Sequence, residues 1–239
     1  MNHLDHLVNQ AMKAFMEHYG REAKWVVASP GRVNLIGEHT DYNEGHVFPM
    51  AIDRYLVMAA DRSLHTADSG TATFHSLLMN ESVDIKINGP IMPGEVHWSS
   101  YIQGTVAGCL RAGLKPEPFE AIILSDVPVG GGLSSSAALE TSTATLIEAV
   151  CGQSLDKVEK ALLCQKAEHD YARMPCGIMD QFTAVMGKTD NAILLDCRSL
   201  TGKLLPMTDQ DVTVLITNSN IRHKLTGSVY PERRAQCER

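Results

Sequence analysis

The chain has 239 residues, which corresponds to roughly one and a half average domains, so one large domain or two small ones. Hydrophobic residues make up 44% and charged residues 21%, values of a globular protein rather than a disordered one. Charge is 21 positive against 28 negative, a net of −7, which argues against a general nucleic-acid binder.

Leu4, Leu7, Val8, Ala11 and Phe15 recur at helical spacing and predict an amphipathic helix over about 3–18, closed by Gly20. Trp25-Val26-Val27-Ala28 reads as a strand that stops at the turn signal Ser29-Pro30-Gly31. Leu56 to Ala60, Thr71 to His75 and Val83 to Ile87 are further strand candidates, followed by a loop marked by Gly89-Pro90 and Pro93-Gly94. Tyr101, Ile102, Thr105, Val106, Cys109 and Leu110 give a second helical stripe ending near Gly113. Ala121 to Leu124 is a short buried strand. Helices are then expected from about Ser135 to Val150 and Leu155 to Ala172, and strands at Ala192 to Asp196 and Val212 to Asn218. The strands and helices do not alternate strictly, so the fold class expected is α+β rather than a doubly wound parallel sheet. The final residues, Glu232 to Arg239, are charged and helix-prone with no terminator, so we expect the natural chain to continue beyond them.

No stretch approaches the roughly 20 apolar residues needed to cross a bilayer, and the first residues do not read as a secretory signal. The six cysteines include no Cys-x-x-Cys pair, and free thiols in a cytoplasmic protein are expected.

Three segments are dense in chemistry. From Gly31 to Gly45, one Arg, one His, three acids, two Asn, one Thr and one Tyr are packed between glycines. Carboxylates accept from sugar hydroxyls and Asn donates and accepts, so the stretch suits a polyhydroxylated ligand; it equally suits a solvated polar turn. From Pro128 to Glu140, three consecutive glycines and three serines join a strand to a helix. Backbone can approach a ligand closely there, and free N–H groups at a helix start attract anions, though a Ser-capped helix after a flexible turn has the same pattern. No Lys follows the glycines, so this is not a Walker A loop. In Cys176-Gly177-Ile178-Met179-Asp180-Gln181-Phe182, Asp180 lies among apolar residues and is either a shielded functional carboxylate or a structural cap. Glu168, on the preceding helix, reads on its own as part of a solvated face.

Together these segments resemble the galactokinases, within the wider family of galactokinase, homoserine, mevalonate and phosphomevalonate kinases. The Gly31–Gly45 stretch resembles the galactokinase sugar signature, and the glycine–serine loop resembles the phosphate loop of the wider family. Cys176 to Phe182, Gly227 to Tyr230 and Arg233 to Glu238 match as well. The resemblance implies a two-domain sugar-kinase fold with the active site between domains, an N-terminal kinase domain over 1–185 and the start of a second domain over 186–239. It implies transfer of the γ-phosphoryl of ATP to the C1 hydroxyl of galactose, with N-acetylgalactosamine kinase or a catalytically silent galactose and ATP sensor as alternatives.

Residue by residue, the resemblance implies that Asp180 and Arg32 act on the reacting groups. Glu38, His39, Thr40, Asp41, Gly177 and Tyr230 are implied to contact the sugar. Ser76, Gly130, Gly131, Gly132, Leu133, Ser134, Ser135 and Ser136 are implied to hold the nucleotide, and Ser136 and Glu168 to hold Mg2+. Expected partners are galactose and ATP, with no nucleic acid and no membrane. A cytoplasmic monomer is expected.

Overall fold

A computed structural model describes residues 2–64, 70–209, 211–218 and 230–237. The elements run, in chain order, α1 (His3–Tyr19), β1 (Trp25–Asn34), β2 (His46–Val47), β3 (Pro49–Arg62), β4 (Thr71–Ser76), β5 (Glu81–Lys86), α2 (Ser100–Arg111), β6 (Phe119–Ser125), α3 (Ser135–Cys151), α4 (Lys157–Asp170), α5 (Met179–Met186), β7 (Asn191–Asp196), β8 (Thr201–Pro206) and α6 (Tyr230–Cys237). The class is α+β, as expected. The eight strands form one sheet in the order β2-β7-β3-β6-β4-β5, with β1 paired to β3 and β8 to β7. Every pairing is antiparallel except β4 with β6, whose connection passes through β5 and α2. β7 and β8 lie beyond residue 185 and extend this same sheet through β7's pairing with β2 and β3.

The long strand β3 explains how two layers are built on one sheet. Side chains alternate along a strand, so its two faces carry different residues. Val57 and Ala59 meet Leu7, Ala11 and Phe15 of α1, together with Ile122 of β6. Leu56, Met58 and Ala60 point the other way, into the core shared with α2, α3 and α4. α1 starts on a reciprocal cap, with Asn2 Oδ1 accepting from the Asp5 N–H at 2.8 Å and Asp5 Oδ2 accepting from the Asn2 N–H at 3.1 Å. It ends at Gly20, in the left-handed conformation at φ 70°.

α3 is covered on most of its faces despite its serines and threonines. Thr141, Thr143 and Thr145 each donate their hydroxyl to the carbonyl four residues back, at 2.6, 2.7 and 2.8 Å, so burial leaves these groups satisfied. A third cluster, formed by Val47, Ala161, Ile178, Met179, Phe182, Ile193 and Leu195, seats α5 between α4 and β7.

Three sequence expectations are corrected here. β1 does not stop at Ser29-Pro30-Gly31 but continues to Asn34. Its pairing with β3 shifts register between Pro30 and Arg32, and a bulge absorbs the proline that a regular ladder excludes. Val212 to Asn218 forms no strand, and its side chains are exposed, Leu215 to 86%. Its β-branched residues favour a pleated, half-buried surface, and among the described residues it pairs with no strand. β8 stands instead at Thr201–Pro206, where no strand was expected, as the antiparallel neighbour of β7.

All six cysteines are free thiols. Among the described residues no helix is long and apolar enough to cross a membrane.

Candidate active site

Four pieces of chain meet around Asp180. Beyond its bulge, β1 turns against the glycine loop, where the Arg32 N–H donates to Leu133 O at 3.1 Å. A Cβ on Gly31 would stand 2.8 Å from that same carbonyl, so the close approach requires glycine. The Arg32 side chain then reaches both neighbours. Its Nε and Nη2 each lie 2.7 Å from Asp180 Oδ1, and Nη1 donates to Gly132 O at 2.7 Å.

The glycine loop supplies the second contact with Asp180. Gly130 and Gly132 have φ of 70° and 72°, and Ser134 has φ 60°, a conformation that L side chains rarely adopt. Ser134 occupies the N-cap position of α3 yet makes no capping bond. Its hydroxyl donates to Asp180 Oδ2 at 2.5 Å instead. A plain Ser-capped helix is therefore excluded. Both oxygens of Asp180 are engaged, and its side chain is 22% exposed. No Cβ on Gly130 or Gly132 would meet anything within 4 Å, so the loop presents open backbone beside the start of α3.

Asp41 and Gly177 form the next part of the cluster. An added Cβ on Gly177 would lie 1.9 Å from Asp41 Oδ2. The Asp41 carboxyl is raised above its usual range by burial and then by the neighbouring Asp180 charge; N–H groups of Asp41 and Met179 and the Arg32 charge act in the opposite direction. Glu38 and His39 are exposed on the same loop. Glu38 Oε1 accepts from Asn34 Nδ2 at 2.8 Å, and His39 Nδ1 is 2.5 Å from the Tyr42 hydroxyl. Thr40 acts within its own turn, where its hydroxyl lies 2.7 Å from both Gly37 O and His46 O and closes the loop.

Glu168 is not on a solvated face. It is 5% exposed, buried between α4, α3 and α5. The Ser136 hydroxyl acts to lower its pKa, and Gln181 Nε2 donates both to Glu168 Oε2 at 2.8 Å and to Glu140 Oε2 at 2.9 Å. Sequence reasoning did not single out Glu140 or Gln181. Glu140 stands four residues after Ser136, hence on the same helix face, and that spacing was the available signal. The pKa values of both Glu140 and Glu168 are raised, first by burial and next by a neighbouring carboxylate: Glu168 for Glu140, Asp180 for Glu168.

A carboxyl that favours its protonated form in the folded state contributes stability below its ordinary pKa, and that contribution is lost as pH rises through the folded value. Glu140→Gln should therefore be more stable than the parent at pH 8, with the difference gone by about pH 4. Urea unfolding across that range measures it, and equal stability at both ends would contradict the assignment. Glu140 Oε1 and Gln181 Oε1 are buried without a partner, and the amide that Glu140→Gln introduces supplies a donor where the carboxylate has none.

Ser76 ends β4, buried, with its hydroxyl accepting from the Met79 N–H at 3.2 Å. α6 begins at Tyr230, whose side chain lies outside the described residues, as do Gly227 to Val229 and Glu238. A cavity of about 670 Å3 lined by Ile91, Met92, Leu110, Arg111 and Tyr171, among others, contains none of the residues gathered around Asp180.

The chain matches two family models: the galactokinase galactose-binding signature over residues 13–62 and the GHMP kinases N terminal domain over residues 100–188. It is 44% identical over 243 residues to a galactokinase of Homo sapiens and 43% identical over 235 residues to one of Bos taurus, in each case over 97% of this chain and 59% of the relative. A crystal structure of Lactococcus lactis galactokinase complexed with galactose superposes with a TM-score of 0.79 at 32% identity, covering 94% of this chain and 58% of that one. A mevalonate kinase structure, at 19% identity and a TM-score of 0.64 over 76% of this chain and 56% of that one, shares the fold. The chain thus spans about 59% of the length of the curated relatives it matches. With the sugar signature on β1 to β3 and the kinase domain from α2 to α5, the chain belongs to the galactokinase family of the GHMP kinases.

Proposed function

We propose that this chain carries the galactose and ATP sites of a galactokinase, which transfers the γ-phosphoryl of ATP to the C1 hydroxyl of galactose. The products are galactose 1-phosphate and ADP. The observation that carries the reading is the meeting of Arg32, Ser134 and Asp180, which joins the sugar-signature strand to the glycine loop at a single carboxylate.

Asp180 is the group assigned to the sugar C1 hydroxyl, where it orients the nucleophile and accepts its proton. Arg32 holds that carboxylate and offsets charge on the phosphoryl oxygens. Glu38, His39, Asp41, the Gly177 backbone and Tyr230 are assigned to the sugar, and Gly130 to Ser136, with Ser76, to the nucleotide. N–H groups at the start of α3 favour phosphate, which assigns ATP to the loop side of Asp180. Phosphoryl transfer asks little covalent work of the protein, so positioning and charge neutralisation carry most of the rate.

Magnesium takes oxygen ligands and keeps several waters, so one hydroxyl and one carboxylate suffice. Glu168 is buried, it shares the Gln181 amide with Glu140, and Glu140, one helical turn after Ser136, has a buried oxygen without a partner, so the oxygen donors suit such an ion. Ser136 and Glu168 would hold it, and it would neutralise phosphate charge when bound. A cytoplasmic location and the monomeric state are further parts of the proposal.

Galactose-dependent ADP release, with the product identified as an anomeric phosphate by phosphorus NMR, tests the reading. Preference for N-acetylgalactosamine would reassign the sugar. Binding of both ligands without ADP release would replace the kinase by a sensor. A site built to bond hydroxyls loses affinity when a bonding group is removed. Asp41→Ala should accordingly weaken galactose about tenfold or more and ATP much less. Calorimetry with each ligand separates the two, and equal losses would remove Asp41 from the sugar site.

A further inference from the structure

Arg234 on α6 touches both loops assigned to the sugar. Its Nη1 donates to Pro175 O at 2.7 Å and lies 3.3 Å from Cys176 O, immediately before Gly177. Its guanidinium carbon stands 5.6 Å from the centroid of the Tyr42 ring, within cation–π range. The Tyr42 hydroxyl in turn is 2.5 Å from His39 Nδ1, which sits at a left-handed φ of 61°. One side chain therefore links the 39–42 turn to the 175–177 segment, although the two are far apart in sequence. From the α4 side, His169 Nε2 donates to the same Cys176 carbonyl at 2.8 Å, so the segment is held from two directions.

We propose that Arg234 is a positioning residue that clamps the 39–42 turn against the 175–177 segment and so sets the spacing of the sugar-contacting groups. The assignment of those groups to a sugar rests on the function proposed above; the clamp itself is a statement about two loops. Guanidinium is suited to this role because its planar fork can donate along its edge to carbonyls while its face lies on an aromatic ring. Lysine offers a point charge and cannot do both. The neighbouring Arg233 bonds within α6, through Nη1 to Gln236 Oε1 at 3.0 Å, and serves as the control.

Hydrogen exchange of the unliganded chain reads the clamp without any sugar. Arg234→Ala should speed exchange of amides in 39–45 and 175–179 by about tenfold, Arg234→Lys by less, and Arg233→Ala not at all. Galactose affinity measured by calorimetry should fall about tenfold in Arg234→Ala with ATP affinity unchanged, the loss expected from one charge-assisted hydrogen bond. A double-mutant cycle with Tyr42→Leu should show the two losses to be non-additive. Unchanged exchange in both loops would overturn the clamp, and so would faster exchange with unaltered galactose affinity, because the spacing would then not matter to the ligand. Faster exchange in a chain whose parent binds no galactose would support the clamp and overturn the sugar assignment.

Discussion

Asp180→Asn should leave galactose binding in place and reduce turnover by about 10² or more, the low end for loss of a positioned proton acceptor. The substitution is nearly isosteric. The retained oxygen can still accept from Arg32, and the Ser134 hydroxyl can rotate to accept from the new amide, so the junction of β1, the glycine loop and α5 is expected to survive. What disappears is the charge that binds the C1 proton and the electrostatic complement of Arg32. The same loss of charge should lower the pKa values of Asp41 and Glu168, since the Asp180 carboxylate contributes to raising both. Single-turnover kinetics alongside sugar calorimetry makes the measurement. Turnover equal to the parent would take Asp180 out of the mechanism, and loss of galactose affinity in step with turnover would make it a binding group instead.

Gly177→Ala is expected to cost galactose affinity about tenfold or more, the same loss as removing the Asp41 carboxylate, because it drives that carboxylate from its place. The new methyl carbon would fall 1.9 Å from Asp41 Oδ2 and 2.1 Å from its Cγ, well inside any permitted contact. The backbone cannot retreat easily, because Gly177 is followed by Ile178, which is 3% exposed in the cluster under α5. The Asp41 carboxylate must therefore leave its place, and combining Gly177→Ala with Asp41→Ala should be little worse than either alone. Calorimetry on the three variants reads this directly. Parent-like affinity in Gly177→Ala would mean that the position of Asp41 is irrelevant to the sugar.

Local pattern was enough for α1, whose apolar stripe and terminal glycine are both visible in sequence, and for α3, announced by the glycine–serine run before it. It failed where the deciding contact is distant. Pro30-Gly31 reads as a turn because a regular ladder excludes proline, yet a bulge keeps β1 paired to β3 and the glycine admits Leu133 from far along the chain. Val212 to Asn218 has strand composition but pairs with no described strand. In the candidate site, Asp180 stood out as a carboxylate in apolar surroundings. Glu168 read as solvent-facing because charged helix residues usually are, and its burial depends on α3 and α5 arriving against α4. Gln181 is inconspicuous in sequence beside Asp180, although it bonds two carboxylates at once.

Asp180 and Gln181 are consecutive in an eight-residue helix, with Asp180 partly exposed beside Arg32 and Gln181 wholly buried between Glu140 and Glu168. Successive residues of an α-helix are about 100° apart in azimuth. The angular phase of α5 thus decides which of the two looks into the groove, and Met179 and Phe182, 5% and 2% exposed, fix that phase by their burial. Deleting or inserting one residue between Cys176 and Met179 would turn the whole helix by the same angle or break its apolar seat. Unlike the surface loops of this chain, that short connection has its length set by rotation rather than by distance, and indels should be tolerated there least of all.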